Sequence, residues 1–356
     1  MQHDRQPVPP SRSRLAHLER APHGRRGFLS GALAGAAALG LAACGDDGGS
    51  GSRSGATPAA SGGSFPATVR HVHGTTTIDR EPKRVVSYGF TDHDTMLALG
   101  VVPVLLQQWI PEWKRGVGPW ALPALGDARP TLVANPEIDF EKVAAARPDL
   151  IVAVSFDLKK SDYEKLSKLA PTVAPLAGYT PYGAPWDEMA VAVGSALGRR
   201  AQAERLVRRA RGQLAAVGDG NPAFAGKTAA TITYYDGKFA IYSDTDTRGR
   251  FMKAIGFDQP PAIKRLFGDQ FVVDLSEERL ELLDELDLVV ALADGEPAQR
   301  GFRESRIYQR LAVVREGRAV TIDDLDQGMA LSASSVSAIP FAIDALLPGL
   351  RRAVRA

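Results

Sequence analysis

The chain carries two copies of one pattern, Asp139-Phe-Glu-Lys-Val followed by Asp149-Leu-Ile-Val-Ala-Val, and Ser276-Glu-Glu-Arg-Leu followed by Asp287-Leu-Val-Val-Ala-Leu. In each copy a residue suited to capping begins a short helical segment, and an aspartate then precedes an apolar run typical of a buried strand. A helix-strand unit that recurs in both halves of a chain indicates a duplicated architecture. The repeat therefore predicts two similar α/β lobes.

The residues around the first copy show alternating strand and helix signals, which favour parallel sheets. We predict a hairpin over 67–78, strands over 84–88, 101–106 and 150–154, a helix over 92–99 that Gly100 ends, and a helix from Asp139 through Arg147. A second set of positions recurs before a helix in each half: Tyr88, Thr91 and Asp92, then Tyr242, Thr245 and Asp246.

A helical stretch over 185–217 separates the two halves and has a predicted break at Gly198-Arg199. A helix in this position would be a stiff strut between lobes, although an ordinary surface helix has the same periodicity. The predicted organisation is an N-terminal α/β lobe over 65–198, an interlobe helix over 199–220, and a C-terminal α/β lobe with a terminal helix over 221–356.

The N-terminal segment has the pattern of an export signal. Arg25-Arg26 precede a Gly/Ala/Leu-rich run that closes in Leu41-Ala-Ala-Cys44, which is typical of a twin-arginine signal with a bacterial lipobox. A transmembrane helix followed by a buried cysteine is the alternative, but the run is shorter than the ~20 residues that span a bilayer. We predict a signal over 1–44, lipidation at Cys44, and a flexible Gly/Ser-rich linker over 45–64.

Composition excludes some functions. The 43 Lys and Arg residues nearly balance 41 Asp and Glu residues, and several arginines belong to the leader, so charge gives no case for nucleic-acid binding. The single cysteine rules out an intrachain disulfide. We therefore expect a monomeric exported domain, anchored on the outer face of the cytoplasmic membrane and stabilised by core burial.

Several segments together carry a family resemblance: Glu81-Pro-Lys-Arg-Val-Val-Ser-Tyr, Leu97-Ala-Leu-Gly-Val-Val-Pro-Val, Arg147-Pro-Asp-Leu-Ile-Val, Ala225-Gly-Lys-Thr, and Arg318-Ala-Val through Ser335. In this order behind a lipobox, the chain resembles the substrate-binding lipoproteins of bacterial ABC importers for iron-siderophore complexes. That group includes haem- and cobalamin-binding members. The resemblance implies two α/β lobes joined by a long rigid helix, a ligand cleft between them, no intrinsic cofactor, and an ABC permease as partner.

The same resemblance implies that one acidic residue on each lobe meets arginines of the permease. The matching positions are Glu141 and Glu278, at equivalent places in the two copies of the repeat. The alternative is that both are helix-start acids favoured by the helix dipole.

Cleft residues are expected on loops at the carboxyl ends of strands. Aromatic and arginine side chains are the candidates, because they suit a large, partly apolar ferric chelate with oxygen donors. The predicted ligand-binding residues are Tyr88, Trp109, Arg115, Trp120, Phe156, Tyr182, Tyr235, Arg248 and Arg250. Core packing is the alternative for each. The arginines favour an anionic chelate, whereas carboxylates on comparable loops could offset them: Asp244, Asp246, Asp294 and Asp326.

We expect neither a metal site nor catalysis. His71 and His73 share a face of the first hairpin, but an exposed edge position is the favoured interpretation, and no third ligand has suitable spacing. No nucleophile elbow, phosphate loop or dinucleotide fingerprint follows a strand. An exported α/β hydrolase and a surface lipoprotein that binds only a protein partner remain alternatives.

Overall fold

The computed structural model describes residues 64–134, 137–180 and 182–355. The chain from Gly63 to Ala356 forms one compact unit. The predicted signal over 1–44, the lipidated Cys44 and all but the last residue of the predicted linker lie outside the described residues. Within the described ranges, no helix has both the length and the apolar character needed to cross a membrane.

Among the described residues, twelve strands form three sheets. The strands are β1 (Ala67–His71), β2 (Gly74–Ile78), β3 (Val85–Ser87), β4 (Leu105–Gln107), β5 (Thr131–Val133), β6 (Leu150–Val152), β7 (Thr172–Val173), β8 (Ala229–Tyr235), β9 (Lys238–Tyr242), β10 (Val272–Leu275), β11 (Leu288–Leu292) and β12 (Ala319–Ile322). The helices that connect them are α1 (Asp92–Ala98), α2 (Leu122–Leu125), α3 (Phe140–Ala145), α4 (Lys160–Leu166), α5 (Trp186–Ala196), α6 (Arg200–Asp219), α7 (Thr247–Ala254), α8 (Pro261–Lys264), α9 (Glu296–Glu304), α10 (Arg306–Arg310), α11 (Ala312–Arg315), α12 (Leu325–Ala333) and α13 (Ala338–Ala353). Short 3₁₀ helices span Pro119–Ala121, Pro222–Phe224 and Glu277–Glu285.

Two five-stranded sheets form the centres of two α/β lobes, which confirms the predicted fold class. The N-terminal sheet has the order β5-β4-β3-β6-β7 and is parallel throughout. The C-terminal sheet has the corresponding order β10-β9-β8-β11-β12, but β9 runs antiparallel to both of its neighbours. The reversal occurs at Asp236-Gly237, where both residues have positive φ, as a two-residue hairpin turn requires.

The repeated aspartates explain why the two sheets have the same centre. The carboxylate of Asp149 accepts hydrogen bonds of 2.8 Å from the backbone N–H groups of Lys83 and Arg84, just before β3. The carboxylate of Asp287 likewise accepts from the backbone N–H of Thr228, just before β8, at 2.8 Å. Asp149 therefore holds β3 beside β6, and Asp287 holds β8 beside β11.

The helix α6 lies between the two lobes in sequence and packs against α5, α7 and α13. Gly198, with φ of 67°, separates α5 from α6, which confirms the predicted break. One face of α6 is buried, through Ala203, Val207, Ala210, Leu214 and Val217, and these residues belong to the largest apolar cluster in the part of the chain that the structure describes.

Three local predictions need correction. The strand expected over 101–106 begins only at Leu105, because Pro103 has no N–H to donate and restricts the residue before it. The first helix of the repeat begins after the N-cap Asp139 as expected but ends at Ala145, short of the predicted Arg147. Its counterpart, Glu277–Glu285, is a 3₁₀ helix.

Candidate functional site

Five rings are in successive contact where the lobes meet, and we name Phe90, Trp109, Phe156, Tyr182 and Phe271 the aromatic wall. The buried ring of Tyr88 adjoins this wall through Phe156, at 5.5 Å. Phe90 is central: its ring centroid lies 5.6 Å from that of Trp109, 5.8 Å from that of Phe156 and 5.8 Å from that of Tyr182. Tyr182 in turn contacts Phe271 of the C-terminal lobe at 6.4 Å. The structure therefore brings three predicted site residues together with two further rings.

The backbone around the wall leaves little freedom. A Cβ on Gly89 would lie 2.1 Å from the Asp92 carboxylate, so only glycine fits before Phe90. Tyr182 has φ of 60°, an uncommon value for a bulky residue. Burial raises the pKa of its hydroxyl to about 12, so this group is a neutral hydrogen-bonding group at physiological pH.

The predicted site residue Tyr88 is completely buried and belongs to the N-terminal core. Its hydroxyl donates to the carbonyl oxygen of Glu137 at 3.3 Å and accepts from the backbone N–H of Asp139 at 3.1 Å. Burial raises the pKa of this hydroxyl to about 12. In this conformation Tyr88 holds the loop before α3 and has no surface for a ligand.

Two tryptophans join the lobes beside the wall. The rings of Trp113 and Trp120 meet edge to face at 5.2 Å. The Trp120 indole donates to Asp94 of the N-terminal lobe at 2.8 Å, and the Trp113 indole donates to Asp326 of the C-terminal lobe at 2.7 Å. Asp94 is itself buried and accepts a further hydrogen bond from the hydroxyl of Ser335.

The predicted site residue Arg115 is engaged with its own neighbourhood. Its guanidinium donates to the carbonyl oxygens of Gly126 and Ala128. These bonds hold the loop before β5, so the Arg115 charge is directed at the protein backbone.

The other two predicted arginines differ in their partners. Arg248 forms an ion pair of 3.0 Å with Asp246 and lies 3.9 Å over the ring of Tyr242. Arg250 donates to the carbonyl oxygen of Gly183 at 3.0 Å, across the contact between the lobes. The buried Nη1 of Arg250 has no hydrogen-bond partner among the described residues, so this arginine keeps a free donor beside the wall.

The predicted site residue Tyr235 lies in the C-terminal sheet, outside the connected rings of the wall. Its hydroxyl donates to Asp274 on β10 at 2.9 Å. Burial and this carboxylate raise the pKa of the Tyr235 hydroxyl well above its usual value.

The predicted docking residues Glu141 and Glu278 are both exposed. Each lies two residues after an N-cap, Asp139 in one lobe and Ser276 in the other. Hydrogen bonds from its own backbone N–H and from Ser276 lower the pKa of Glu278, so this group is ionised. The two carboxylates therefore have equivalent places on the two lobes, while their role stays a prediction.

The expectation of an exposed histidine pair is wrong for His71, which is 2% exposed. Its Nε2 lies 2.9 Å from the hydroxyl oxygen of Thr76, and its Nδ1 accepts from the backbone N–H of His73 at 3.2 Å. Both ring nitrogens are thus used in the hairpin. In the part of the chain that the structure describes, no group of three or more His, Cys, Asp or Glu residues could hold a metal ion.

The sequence patterns do not identify Phe271 and Asp94 as site residues, whereas Phe90 lies on one of the aromatic loops that they predict to border the cleft. Phe90 has a usable signal, because it follows β3 at the expected end of a parallel strand. Phe271 precedes a strand, and Asp94 lies inside a helix, so a rule based on carboxyl ends of strands finds neither.

Two α/β lobes, a helix between them and an aromatic wall at their contact define the architecture of a two-lobed binding protein. The sequence family described as periplasmic binding protein matches residues 85–325. The chain therefore belongs to the periplasmic binding protein family, whose location is extracytoplasmic.

Comparison with individual proteins agrees with this assignment. A periplasmic solute binding protein from Mycobacterium smegmatis is 31% identical, has a TM-score of 0.72, and is matched over 98% of its chain and 81% of this one. PiaA from Streptococcus pneumoniae, solved in complex with ferrichrome, shares the fold at 23% identity, with a TM-score of 0.70 over 81% of this chain and 99% of that one. The Fe(3+) dicitrate-binding periplasmic protein FecB of Escherichia coli is 22% identical over 266 residues, 73% of this chain and 83% of that protein.

Proposed function

We propose that this protein is an extracytoplasmic receptor that binds a ferric siderophore between its lobes and delivers it to an ABC permease for iron uptake. The aromatic wall carries the proposal. Ring faces bury large, partly apolar ligands well, and a small number of polar groups beside them fixes orientation. Phe90 and Tyr182 supply the faces, and the free donor of Arg250 suits the oxygen atoms of a chelate.

The relatives support the same ligand class. The names of similar proteins specify ferric dicitrate, ferrichrome and, for SirA from Staphylococcus aureus, staphyloferrin B. The transported complex brings its own iron, so the protein needs no resident cofactor. It binds and releases this ligand unchanged, as a monomer, without catalysis.

Ligand binding is tested by titrating the purified protein with ferrichrome and following tryptophan fluorescence. We expect saturable quenching with a Kd of about 1 μM or lower, equivalent to about −8 kcal/mol. Phe90→Ala should weaken binding by roughly 1 to 3 kcal/mol, because it removes the ring that joins the wall. Ile307→Ala, on an exposed apolar side chain of the C-terminal lobe, is the control and should leave affinity unchanged.

Quenching by haem or cobalamin, without quenching by ferrichrome, would indicate that the protein binds one of these other ligands of the group it resembles. Turnover of a chelate without saturable binding would contradict a receptor function altogether.

The lipid anchor is a separate part of the proposal and rests on the lipobox pattern that ends at Cys44. Cys44→Ala should release the protein from membranes or leave unprocessed precursor, as fractionation of cells and intact-mass measurement would show. Correct processing and membrane attachment of the Cys44→Ala protein would refute the anchor.

A further inference from the structure

The charges beside the aromatic wall come mainly from the C-terminal lobe, and its most buried arginine is already neutralised. The guanidinium of Arg248 is paired with Asp246 at 3.0 Å and covers the ring of Tyr242. The carboxylate of Asp294 is also largely buried, and it favours the charged form of the same guanidinium. Two carboxylates thus surround one cation, and Arg248 presents no unbalanced positive charge to a ligand.

Arg250 is the second arginine and is also outnumbered by acids. It donates to the Gly183 carbonyl oxygen at 3.0 Å, and burial lowers its pKa although the carboxylates of Asp246, Glu188 and Asp244 favour the charged form. Arg250 can therefore donate one orienting hydrogen bond, through its free Nη1, while the field around it remains acidic.

The remaining groups near the wall add negative charge. The carboxylate of Asp326 accepts a hydrogen bond from the Trp113 indole. Burial and the nearby carboxylate of Asp157 raise the pKa of the Tyr182 hydroxyl. Neither carboxylate has an ion pair among the described residues. Lys264 is a further cation of the C-terminal lobe, and its ammonium forms ion pairs of 3.0 Å with both Asp244 and Asp258.

We propose that the site selects an uncharged or cationic ferric chelate, of the trihydroxamate class, over a polyanionic tris-catecholate. This inference rests on the proposed function and deepens it. A ligand that carries several negative charges would have to be desolvated beside more carboxylates than cations, whereas ring faces and one donor suit a neutral complex. Taken by themselves, Arg248 and Arg250 suggest an anionic ligand. The carboxylates around them favour an uncharged or cationic ligand instead.

The test compares three probes on the purified protein: ferrichrome, which is uncharged, ferrioxamine B, which carries a free ammonium group, and the ferric complex of the tris-catecholate enterobactin. At about 20 mM NaCl, where charges are screened over roughly 20 Å, we expect the two hydroxamates to bind at least about tenfold tighter than the tris-catecholate.

Raising the salt to about 0.5 M shortens the screening length to roughly 4 Å and separates charge from shape. The affinity for the tris-catecholate should then rise, that for ferrioxamine B should fall, and that for ferrichrome should stay constant. Tighter binding of the tris-catecholate than of ferrichrome at low salt would overturn the inference and leave the receptor function standing. Failure of every ferric chelate to bind would overturn the proposed function itself.

A variant tests the assigned charge directly. Asp326→Asn removes one charge beside the wall and keeps an oxygen acceptor for Trp113, so the affinity for the tris-catecholate should rise about threefold to tenfold relative to that for ferrichrome. Asp219→Asn makes the same charge change on an exposed residue at the end of α6 and should alter neither affinity. Equal responses of the two variants would show that the local charge around the wall does not set selectivity.

Discussion

The two lobes share a skeleton but contribute different chemistry to the site. In the N-terminal lobe, the chain passes from β3 through α1 before it returns to the sheet, whereas in the C-terminal lobe β8 turns directly into β9. The N-terminal lobe supplies most of the aromatic wall: Phe90, Trp109, Phe156 and Tyr182. The C-terminal lobe supplies most of the charge: Asp244, Asp246, Arg248, Arg250, Asp294 and Asp326.

One repeated position shows how the chemistry diverges. Asp92, in the first turn of α1, accepts hydrogen bonds from the backbone N–H groups of Val154 and Ser155, at the end of β6. Its counterpart Asp246 caps α7 and neutralises Arg248. Burial raises the pKa of Asp92 to about 6. The same residue type thus joins strand to helix in one lobe and balances a cation in the other.

The largest effect is expected where the lobes are most alike. The double variant Glu141→Ala and Glu278→Ala should lower siderophore uptake by cells more than tenfold, because under the proposed docking role basic groups of the permease would lose both carboxylate partners. Ligand affinity and the free energy of unfolding of the purified protein should not change, since both side chains are exposed. Uptake of radioactive iron and the fluorescence titration measure the two parts.

The matched control for this prediction is Glu164→Ala with Glu304→Ala, an exposed acid from each lobe outside the repeat. It should leave uptake intact. Each single variant, Glu141→Ala or Glu278→Ala, sharpens the comparison, because equal losses would show that the α helix and the 3₁₀ helix present their carboxylates equivalently. Normal uptake by the double variant would return both glutamates to the role of helix-start acids.

The next largest effect concerns the two carboxylates that hold the tryptophan pair. Asp94→Ala should destabilise the protein by about 3 kcal/mol, because it leaves the Trp120 indole and the Ser335 hydroxyl without an acceptor in a buried place. Asp326→Ala removes one hydrogen bond at a less buried carboxylate and should cost about 1 kcal/mol. Urea denaturation measures both values.

Asp94→Asn keeps an oxygen for both donors and should cost less than half of the alanine value. Equal costs for Asp94→Ala and Asp326→Ala would contradict the unequal roles assigned to the two lobes in this contact.

Much of the fold follows from local signals, and the main omission has a physical reason. The first hairpin, the cap at Asp139 and the break at Gly198 depend on neighbours in sequence, so pattern analysis finds them. The turn Asp236-Gly237 is also a local hairpin signal, but an interpretation built on alternating strands and helices overlooks it. Without that turn, β9 and its antiparallel pairing cannot be placed.

The site is less predictable because its properties depend on partners distant in sequence. The sequence identifies Arg248 and Arg250 as candidate cations, but only the fold shows that Asp246 neutralises one and that the other reaches Gly183 across the lobes. Likewise, Tyr88 and Tyr182 are equally aromatic in the sequence. One is completely buried and the other is part of the wall.

A smaller effect should appear in the hairpin β1–β2, a two-stranded sheet without a counterpart among the described residues of the C-terminal lobe. The Thr76 hydroxyl donates to the Thr172 carbonyl, so it must accept the proton on Nε2 of His71, and the neutral ring leaves Nδ1 free to accept from His73. Burial and the nearby His73 lower the pKa of His71 to about 4. His71 therefore stabilises the fold fully above its unfolded pKa, near pH 6.5.

That contribution is lost as the pH falls from about 6.5 toward 4, and by about pH 5 its loss should amount to about 2 kcal/mol. His71→Gln cannot titrate in this range, so its stability should fall less than that of the wild type between pH 7 and pH 4. Urea denaturation at several pH values measures the difference. Parallel curves for the two proteins would show that folding does not lower the pKa of His71.

The smallest effect compares two buried tyrosines, one in each core. Tyr88 uses its hydroxyl twice, with the Glu137 carbonyl and the Asp139 N–H, whereas the buried hydroxyl of Tyr308 has no partner among the described residues. Both rings pack against other aromatic rings, Tyr88 on Phe156 and Tyr308 on Phe239 and Phe302, so replacement by Phe preserves the packing in each case.

Tyr88→Phe should cost about 1 kcal/mol, because it leaves a carbonyl and an N–H of the loop before α3 unpaired. Tyr308→Phe removes an unpaired polar atom from the core and should be neutral or stabilising by up to about 1 kcal/mol. Urea denaturation of the two variants side by side gives the sign of each change. A loss at Tyr308 as large as that at Tyr88 would mean that the C-terminal core satisfies this hydroxyl after all, and that the two cores are more alike in polar contacts than their structures indicate.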